Sequence, residues 1–171
     1  ATSIIMSPAE AGIERLATAD ETPDGRPGVF LQVYCRDRRA LKSQMVARIG
    51  QCVMTCPTTS AFNALEEAKR MLRVGRSLAY FGDGYQRRSD FSGRRVWLIP
   101  TMEGEFMVES RFGAKRGVAG GMFLILARDR AAGLAAAEKA AEASKKAGRV
   151  ILPFPGGVCR SGSKVGSAKY K

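Results

Sequence analysis

The chain has 171 residues, of which 45% are hydrophobic, and it carries a formal net charge of +12. That composition predicts one domain or two small lobes with a packed core and excludes a disordered chain, and no apolar run reaches the length of about 18 residues that a membrane span needs. The sequence contains no histidine, which excludes a Ser-His-Asp triad, a Cys-His pair and a histidine-ligated zinc site within these residues.

The positive charge is concentrated towards the C-terminal end of the sequence. Residues 111–171 contain 13 lysines and arginines but only three acidic residues, a net charge of +10, which leaves a net charge of only +2 for residues 1–110. A basic region of this kind attracts nucleic acid, an anionic cofactor or an acidic partner subunit, or it is an ordinary solvated face. The charge by itself leaves these alternatives open.

The predicted elements of the first hundred residues alternate between strands and helices. In chain order they are a strand at Ser3–Met6, a turn at Glu21–Gly28, a strand at Val29–Cys35, a helix at Arg38–Ile49, a strand at Cys52–Thr55, a helix at Thr59–Arg73, a strand at Arg76–Tyr80, a turn at Phe81–Gln86 and a strand at Arg95–Ile99. The first helix has the clearest signals, since Asp37 is a good N-cap and Leu41, Met45 and Ile49 recur every four residues. Gly50 is expected to end it.

After Pro100, a natural lobe boundary, the alternation continues. The predicted elements are a strand at Glu105–Glu109, a glycine-rich bend at Gly113–Gly121, a strand at Met122–Ala127, a helix at Arg130–Lys146 and a strand at Arg149–Leu152. Asp129 is expected to cap this helix, and Gly148 suits a left-handed stop after it. The pattern favours an α+β fold, with antiparallel sheets and helices on one face in two lobes, over a doubly wound parallel sheet.

Two glycine-rich segments are candidate ligand-binding loops. The segment FGDGYQ, residues 81–86, places Asp83 between two glycines, so the backbone can approach a ligand beside a carboxylate and Tyr85 can stack or donate a hydrogen bond. The alternative is an ordinary turn in which Asp83 binds local amides. The segment VAGG, residues 118–121, is likewise either a close-approach loop or only a bend.

The closing run Pro153–Lys171 combines glycine, serine and lysine, which suggests a backbone shaped around an anion or a polar ligand. A phosphate-binding loop requires a lysine directly after its second glycine, whereas in Gly157–Lys164 the lysine comes one residue late. This spacing argues against a nucleotide hydrolase. The aromatic residues near the basic third are dispersed, so nothing there resembles a base-stacking RNA-binding strand.

Glutamates and cysteines give weaker signals. Glu103, Glu105 and Glu109 occupy alternate positions of one predicted strand, and they form either a solvated edge or a catalytic carboxylate cluster. The four cysteines occur at irregular spacings, so we expect ordinary thiols in a reducing cytoplasm and neither a metal site nor a redox pair. They are Cys35, Cys52, Cys56 and Cys159.

Taken together, several uncommon sequence segments resemble, in their order and spacing, those of the formylmethanofuran:tetrahydromethanopterin formyltransferase family. The segments are SIIMSPAEAGI (3–13), ETPDGRPG (21–28), RIGQCVMT (48–55), PTTSAF (57–62), FGDGYQ (81–86), VWLIP (96–100), EGEFMVE (103–109), GVAGG (117–121) and PFPGGVCRSGSKVG (153–166). The resemblance extends over almost the whole chain.

This resemblance implies a cytoplasmic enzyme of one-carbon metabolism, as in methanogenic archaea and methylotrophic bacteria. The enzyme would move a formyl group between methanofuran and N5 of tetrahydromethanopterin, both acting as coenzyme substrates, with no metal and no tightly bound cofactor. The family resemblance also implies ferredoxin-like lobes and a homodimer or homotetramer. The basic composition departs from the acidic archaeal members and suggests the bacterial type, which belongs to a larger formyltransferase/hydrolase complex.

On this resemblance, residues 1–99 form the first (proximal) lobe, without its N-terminal strand and helix, and residues 100–171 form the second (distal) lobe, without its C-terminal part. The family's catalytic acid is expected beyond Lys171, so no catalytic residue is assigned, and the segment alone is expected to be inactive. The alternative function is a non-catalytic structural subunit with the same fold in such a complex. No nucleic-acid or membrane partner is expected.

The expected substrate-binding residues supply backbone amides, hydroxyls and one cation, which suit an oxyanion and the acidic groups of the two coenzymes. They are Gly82, Asp83, Gly84, Tyr85, Gln86, Gly120, Gly121, Gly156, Gly157, Ser161, Ser163 and Lys164.

Overall fold

A computed structural model describes residues 7–118 and 120–160 of the chain. Its strands are β1 (Glu10–Ala17), β2 (Gly28–Tyr34), β3 (Ser60–Ala61), β4 (Arg70–Leu72), β5 (Arg87–Phe91), β6 (Arg94–Thr101), β7 (Gly104–Glu109) and β8 (Phe112–Ala114). Its α-helices are α1 (Arg38–Arg48), α2 (Val74–Leu78) and α3 (Arg130–Lys146). Shorter helical turns lie at Ala19–Glu21, Ile49–Val53, Ala79–Gly82 and Pro155–Gly157. The predicted strand at Ser3–Met6 lies outside the described residues.

Strands β1 and β2 form an antiparallel hairpin of their own. Ile13 lies opposite Leu31 and Leu16 opposite Val29, with a bulge in β1 that keeps these apolar residues on one face. Strand β2 was predicted from sequence and is confirmed, whereas β1 was missed, because its mixture of charged and small residues gives no clear alternation.

Hydrogen bonds to the carboxylate of Glu21 fix the turn between these two strands. The Oε2 atom of Glu21 accepts from Arg15 Nη1 at 3.0 Å and from the backbone N–H of Thr18 at 3.0 Å. The Arg15 guanidinium also lies 4.0 Å from the centroid of the Phe30 ring. The hydrogen bond from Arg15, supported by that from Thr18, lowers the pKa of Glu21 to about 2.

Helix α1 begins where the sequence predicts. The Oδ1 atom of Asp37 accepts hydrogen bonds from the backbone N–H groups of Arg39 at 2.8 Å and Ala40 at 2.9 Å, which satisfies two of the free donors at the helix start. The apolar stripe of the helix, including Leu41 and Met45, packs against the core. The cap and the four-residue spacing together therefore predicted this element correctly.

The predicted end of α1 is wrong. The chain continues as a π-helical turn over Ile49–Val53, which takes the place of the strand expected at Cys52–Thr55. A Cβ atom on Gly50 would lie 3.0 Å from Cδ2 of Leu78, so this glycine allows close packing against α2. Its role in packing, which the sequence does not reveal, explains why it does not act as a helix stop.

The helix predicted at Thr59–Arg73 is also wrong, because this segment contains the short strands β3 and β4. Asn63 is only 5% exposed, and its Oδ1 atom accepts from the backbone N–H of Leu65 at 3.1 Å and of Gly113 at 2.8 Å. Strand β4 pairs with β8, whose residues lie 40 to 44 positions later in the chain. These long-range hydrogen bonds outweigh the local preference for a helix.

The strand predicted at Arg76–Tyr80 is likewise wrong, since α2 and a 3-10 turn occupy these residues. Val74 and Leu78 are four positions apart and both are 0% exposed, which is the spacing of one buried helix face. A window that began at Val74 would have shown this helical spacing.

The main sheet contains four strands in the order β3-β7-β6-β5. Strands β5, β6 and β7 are antiparallel neighbours, and β3 adds a two-residue parallel pairing to β7. The strands predicted at Arg95–Ile99 and Glu105–Glu109 are thereby confirmed. The predicted fold class, α+β with small antiparallel sheets, is confirmed as well.

The hydrophobic core lies between this sheet and the two helices α1 and α2. Ile99 and Phe106, opposite each other in β6 and β7, are 1% and 3% exposed and pack with residues of α2. Pro100 lies within β6 and pairs with Glu105 of β7. The predicted lobe boundary at residues 99–100 therefore falls inside a hairpin, and the packing of the first hundred residues continues through β8.

After β8 the chain is much less packed. Helix α3 is confirmed, and the Oδ1 atom of Asp129 accepts from the backbone N–H of Ala132 at 2.9 Å. The strands predicted at Met122–Ala127 and Arg149–Leu152 are wrong, because neither segment pairs with another strand among the described residues. Apolar composition gives a strand only where a neighbouring strand receives its backbone hydrogen bonds.

Candidate functional site

The loop FGDGYQ, predicted as a ligand contact, has a distinctive backbone. Asp83 adopts the left-handed conformation with φ of 47°, and Gly84 follows with φ of 93°. The backbone N–H of Tyr85 donates to the carbonyl of Gly82 at 2.8 Å, and that of Gly84 donates to Oε1 of Gln86 at 2.9 Å. Left-handed geometry at a non-glycine residue is uncommon, so the surrounding hydrogen bonds and packing hold this loop in shape.

Gly82 cannot be replaced in this loop without a rearrangement. A Cβ atom there would lie 2.6 Å from Cβ of Gln86 and 3.3 Å from Cδ of Pro100. The Tyr85 ring is 82% exposed. The loop thus combines a closely packed base with an exposed aromatic ring, which is free to contact a ligand.

Gln86 connects the loop to a small cleft of about 160 Å³. The other residues of this cleft are Arg76, Ala79, Tyr80, Arg88 and Trp97. Arg88 lies directly opposite Trp97 in the β5–β6 pair, and its guanidinium is 4.9 Å from the centroid of the tryptophan ring. This cation–π contact holds a positive charge at the mouth of the cleft, beside the predicted loop.

A larger cleft of about 980 Å³ shares Arg76, Arg88 and Trp97 with the small one. Six arginines line it, against three acidic residues. The arginines are Arg73, Arg76, Arg88, Arg94, Arg95 and Arg111, and the acidic residues are Glu66, Asp90 and Glu109. Sequence reasoning missed this cleft because it summed charge along the chain, whereas folding brings these arginines together and leaves most acidic residues elsewhere.

The alternate glutamates of β7 form no free carboxylate cluster. Arg87 and Glu105 form a bidentate ion pair with contacts of 2.8 to 3.1 Å. The Oε2 atom of Glu109 accepts from Arg94 Nη1 at 2.9 Å and from the backbone N–H of Asn63 at 2.9 Å. Glu105 is thus paired with Arg87, and Glu109 with Arg94, so these two carboxylates are parts of separate ion pairs and not of one cluster.

Arg94 joins several elements beside the cleft. Besides Glu109, it bonds to the Glu66 carboxylate, and it donates to the backbone carbonyl of Asn63 at 3.0 Å. Burial tends to lower the pKa of Arg94, but the hydrogen bonds and charges of Glu109 and Glu66 outweigh it and raise the pKa above its usual value. Arg94 therefore stays charged and serves mainly to stabilise the wall of the cleft.

The other predicted glycines have different surroundings. Gly120 and Gly121 are exposed, with open space where a Cβ atom would lie. Gly156 and Gly157 have φ of 65° and 80°, and a Cβ atom on Gly157 would lie 2.6 Å from Cδ1 of Leu152. Among the described residues, no hydrogen bond or ion pair joins either pair to the loop 82–86. Ser161, Ser163 and Lys164 lie outside the described residues.

Residues 7–118 and 120–160 contain no candidate metal centre and no membrane-spanning helix. Within these ranges no group of three or more histidine, cysteine, aspartate or glutamate side chains is placed to hold a metal ion. None of the helices described there combines the length and the apolar character that crossing a bilayer requires. The four cysteines are free, and burial raises the pKa of the Cys35 thiol.

Comparison with known families gives two adjacent matches. The profile described as formylmethanofuran-tetrahydromethanopterin formyltransferase matches residues 1–101. A second profile, described as the proximal lobe of the same family, matches residues 104–171. The second match bears the name proximal lobe, which the sequence analysis gave to residues 1–99, and the division of the chain into lobes stays a prediction.

Comparison with individual proteins gives the same family. The chain is 54% identical to the formyltransferase of Methanopyrus kandleri and 50% identical to that of Methylobacillus flagellatus, over 99% and 100% of its own length. It also resembles a chain of the solved formyltransferase/hydrolase complex from Methylorubrum extorquens, which was determined with methylofuran. The TM-score is 0.85 and the identity is 46%, over 98% of this chain and 56% of that chain. The chain spans 58% and 57% of the length of the two curated relatives.

Proposed function

Because the chain belongs to the formylmethanofuran-tetrahydromethanopterin formyltransferase family, we propose that the whole protein transfers a formyl group between methanofuran and N5 of tetrahydromethanopterin. The observation that carries this proposal is the pair of family matches, which together extend over residues 1–101 and 104–171. Relatives from Methanopyrus kandleri and Methylobacillus flagellatus bear the name of this activity. We expect the reaction in the cytoplasm, with both coenzymes as substrates and no tightly bound cofactor.

The reaction is an acyl transfer between two nitrogens. N5 of the pterin attacks the formyl carbon, a tetrahedral intermediate forms, and the bond from that carbon to the methanofuran nitrogen breaks. One proton leaves N5 and one proton reaches the departing amine, so the overall transfer is balanced. Such a site must hold the two nitrogens close together, stabilise an oxyanion and move a proton.

We propose that the loop at residues 82–86 contacts a coenzyme. Its fixed left-handed turn is one support, because a preformed loop loses little entropy on binding. The exposed ring of Tyr85 is a second support, and the position of Gln86 beside two arginines and Trp97 is a third. Gly120, Gly121, Gly156, Gly157, Ser161, Ser163 and Lys164 stay in the proposal as further contacts, and no residue is assigned as the catalytic acid.

We also propose a homodimer or homotetramer and contacts with other formyltransferase/hydrolase subunits. The solved complex from Methylorubrum extorquens, which the chain resembles, supports the contacts with other subunits, whereas the homo-oligomer rests on the family resemblance alone. The basic end of α3, with Lys145 and Lys146 in its last turn, together with exposed Arg149, suits an acidic partner surface or an acidic coenzyme tail. Charge reversal at these three positions should weaken assembly or raise the Michaelis constant, and unchanged values for both would contradict this role.

The direct test is formyl transfer by the purified full-length protein from formylmethanofuran to tetrahydromethanopterin, followed by the absorbance of the formylated pterin. Turnover supports the enzyme, whereas a folded protein without turnover, alone and with its partner subunits, would favour the non-catalytic alternative.

Tyr85→Ala then tests the loop, with Met102→Ala as control, because Met102 is fully exposed in the β6–β7 turn. We expect kcat/KM to fall about tenfold or more for Tyr85→Ala alone.

A further inference from the structure

We propose that the larger cleft, between the β5–β6 hairpin and the start of α2, binds a small polyanion with several carboxylate or phosphate groups. The inference concerns binding of an anion, and it stands independently of formyl transfer. Its basis is the composition of the cleft wall, in which six arginines face a space of about 980 Å³.

The arginines exceed the charge that the cleft itself neutralises. Glu66 and Glu109 share the single guanidinium of Arg94, and the six arginines and three acidic residues of the cleft leave a net charge of +3. Among the residues that the structure describes, no carboxylate oxygen lies within 4.0 Å of a side-chain nitrogen of the remaining five cleft arginines. Asp90, the third carboxylate, lies opposite Arg95 in the β5–β6 pair and reduces the net positive charge at that end of the hairpin.

Guanidinium groups are suited to this task because each presents a planar fork of donors that matches a carboxylate or a phosphate. The arginines come from separate elements, with Arg73 and Arg76 at α2, Arg88 in β5 and Arg111 before β8. Four groups from three parts of the fold would contact one ligand at several points. A ligand with several negative groups can engage such a wall more fully than a single ion can.

The size and lining of the cleft favour a small polyanion over a nucleic acid. Among the described residues that line the cleft, Trp97 is the one aromatic side chain, so these residues offer no platform for a series of stacked bases. Ser89, Ser92 and Ser110 line the same wall and can add hydroxyl donors to an anion. A volume of about 980 Å³ lies near the upper limit for a small-molecule cleft.

The test is calorimetric titration of the full chain with citrate and, separately, with tripolyphosphate, at low salt and at 200 mM added salt. Citrate represents a polycarboxylate and tripolyphosphate a polyphosphate, so their relative affinities identify the preferred source of the negative groups. The double variant R76Q/R111Q removes two exposed arginines from the cleft. The matched control R130Q/K139Q removes the same charge from the exposed surface of α3.

We expect one site per chain, weakened about tenfold or more by R76Q/R111Q and less than twofold by the control. R73Q/R95Q is a second cleft variant that keeps the test valid if the first fails to fold. Fluorescence of Trp97, the single tryptophan of this 171-residue sequence, should change on binding and should not change in R76Q/R111Q at the same ligand concentration.

Three outcomes would overturn the inference. Equal weakening by the cleft and control variants would show only general attraction to a basic protein. The absence of binding for both probes at low salt would exclude the site. Tighter binding of a ten-residue oligothymidylate than of either probe, with the same sensitivity to R76Q/R111Q, would assign the cleft to nucleic acid. None of these readouts depends on formyl transfer, so a negative result for anion binding would not contradict the proposed enzyme activity.

Discussion

Residues 38–114 and residues 115–160 have similar shares of apolar sequence but very different packing. The first region surrounds a core in which Val74, Leu78 and Val108 are 0% exposed. In the second, Ala141 is the only buried residue of α3, and Phe123 and Leu126 are 81% and 92% exposed. The comparison shows that an apolar run becomes core only where distant strands and helices meet it, since burial is a property of the assembled fold.

The glycines of the two regions show the same difference in packing, because some glycines of the first region lie against the backbone of another segment. A Cβ atom on Gly75 would lie 2.2 Å from the carbonyl oxygen of Glu109, and one on Gly113 would lie 2.2 Å from that of Leu65. In the second region, Gly120 and Gly121 have open space at the corresponding point, and Gly133 has only an ordinary contact at 3.4 Å. Glycine is therefore a packing requirement at Gly75 and Gly113 of the first region, and it is not one at Gly120, Gly121 or Gly133 of the second.

The largest difference is expected for leucine truncation. Leu78→Ala should lower the free energy of unfolding by about 2–5 kcal/mol, because it opens a cavity in a closed core. Leu134→Ala, at a side chain that is 54% exposed in α3, should cost less than about 1 kcal/mol. Urea unfolding of both full chains, followed by tryptophan fluorescence and circular dichroism, measures the two values. Equal losses would mean that α3 is packed as tightly as α2, and the comparison would fail.

Glycine substitutions should give opposite signs in the two regions. Gly75→Ala is expected to destabilise the protein by about 1–3 kcal/mol, because the new methyl group overlaps the backbone of Glu109. Gly133→Ala lies inside α3 with room for a methyl group, and it should stabilise the helix by about 0.5–1 kcal/mol. Thermal unfolding of the two variants provides the measurement. A stabilising Gly75→Ala would show that the backbone can move aside at no cost.

The elements that could be predicted from sequence are those with strong local signals. Helices α1 and α3 were found because Asp37 and Asp129 cap them, and strands β6 and β7 because their apolar residues form short runs. The segment Thr59–Arg73 was predicted wrongly because its structure depends on Asn63 and on the pairing of β4 with β8, which are contacts across the fold. No local window contains that information.

The same distinction between local and long-range signals applies to the candidate site. The loop 82–86 was predicted as a ligand contact because two glycines around Asp83 are a local signal; the structure shows a left-handed turn there, and the ligand contact stays a prediction. The arginine-lined cleft was missed because Arg73, Arg88 and Arg111 come from separate elements and meet only in three dimensions. A charge count taken along the chain placed the basic character in the C-terminal third and so overlooked this concentration.

A third pair of variants, at the two helix caps, should destabilise the two regions equally. Equal losses would show that the regions differ in long-range packing and not in local helix capping. Asp37→Ala and Asp129→Ala each remove a side chain that accepts from the first turn of a helix, at 2.8 and 2.9 Å in α1 and at 2.9 Å in α3. Each should cost about 1 kcal/mol, because capping is local and does not need a core. Amide hydrogen exchange within each helix measures the effect. A much larger loss in α1 than in α3 would mean that the cap of α1 also supports the core.

The smallest effect is expected at an exposed ion pair in the hairpin, which belongs to neither region. The hydrogen bond from Arg15 lowers the pKa of Glu21 to about 2 from an ordinary value of 4.5, so the charged form is favoured in the folded hairpin. Its stabilisation is therefore fully present above pH 4.5 and is lost as the pH falls towards 2. Because the pair is exposed, solvent screens it and the gain should be small. Carboxyl carbon NMR of Glu21 should give the lowered midpoint in the native protein, and Arg15→Gln should raise it, whereas an ordinary midpoint near 4.5 would show that the hydrogen bonds do not persist in solution.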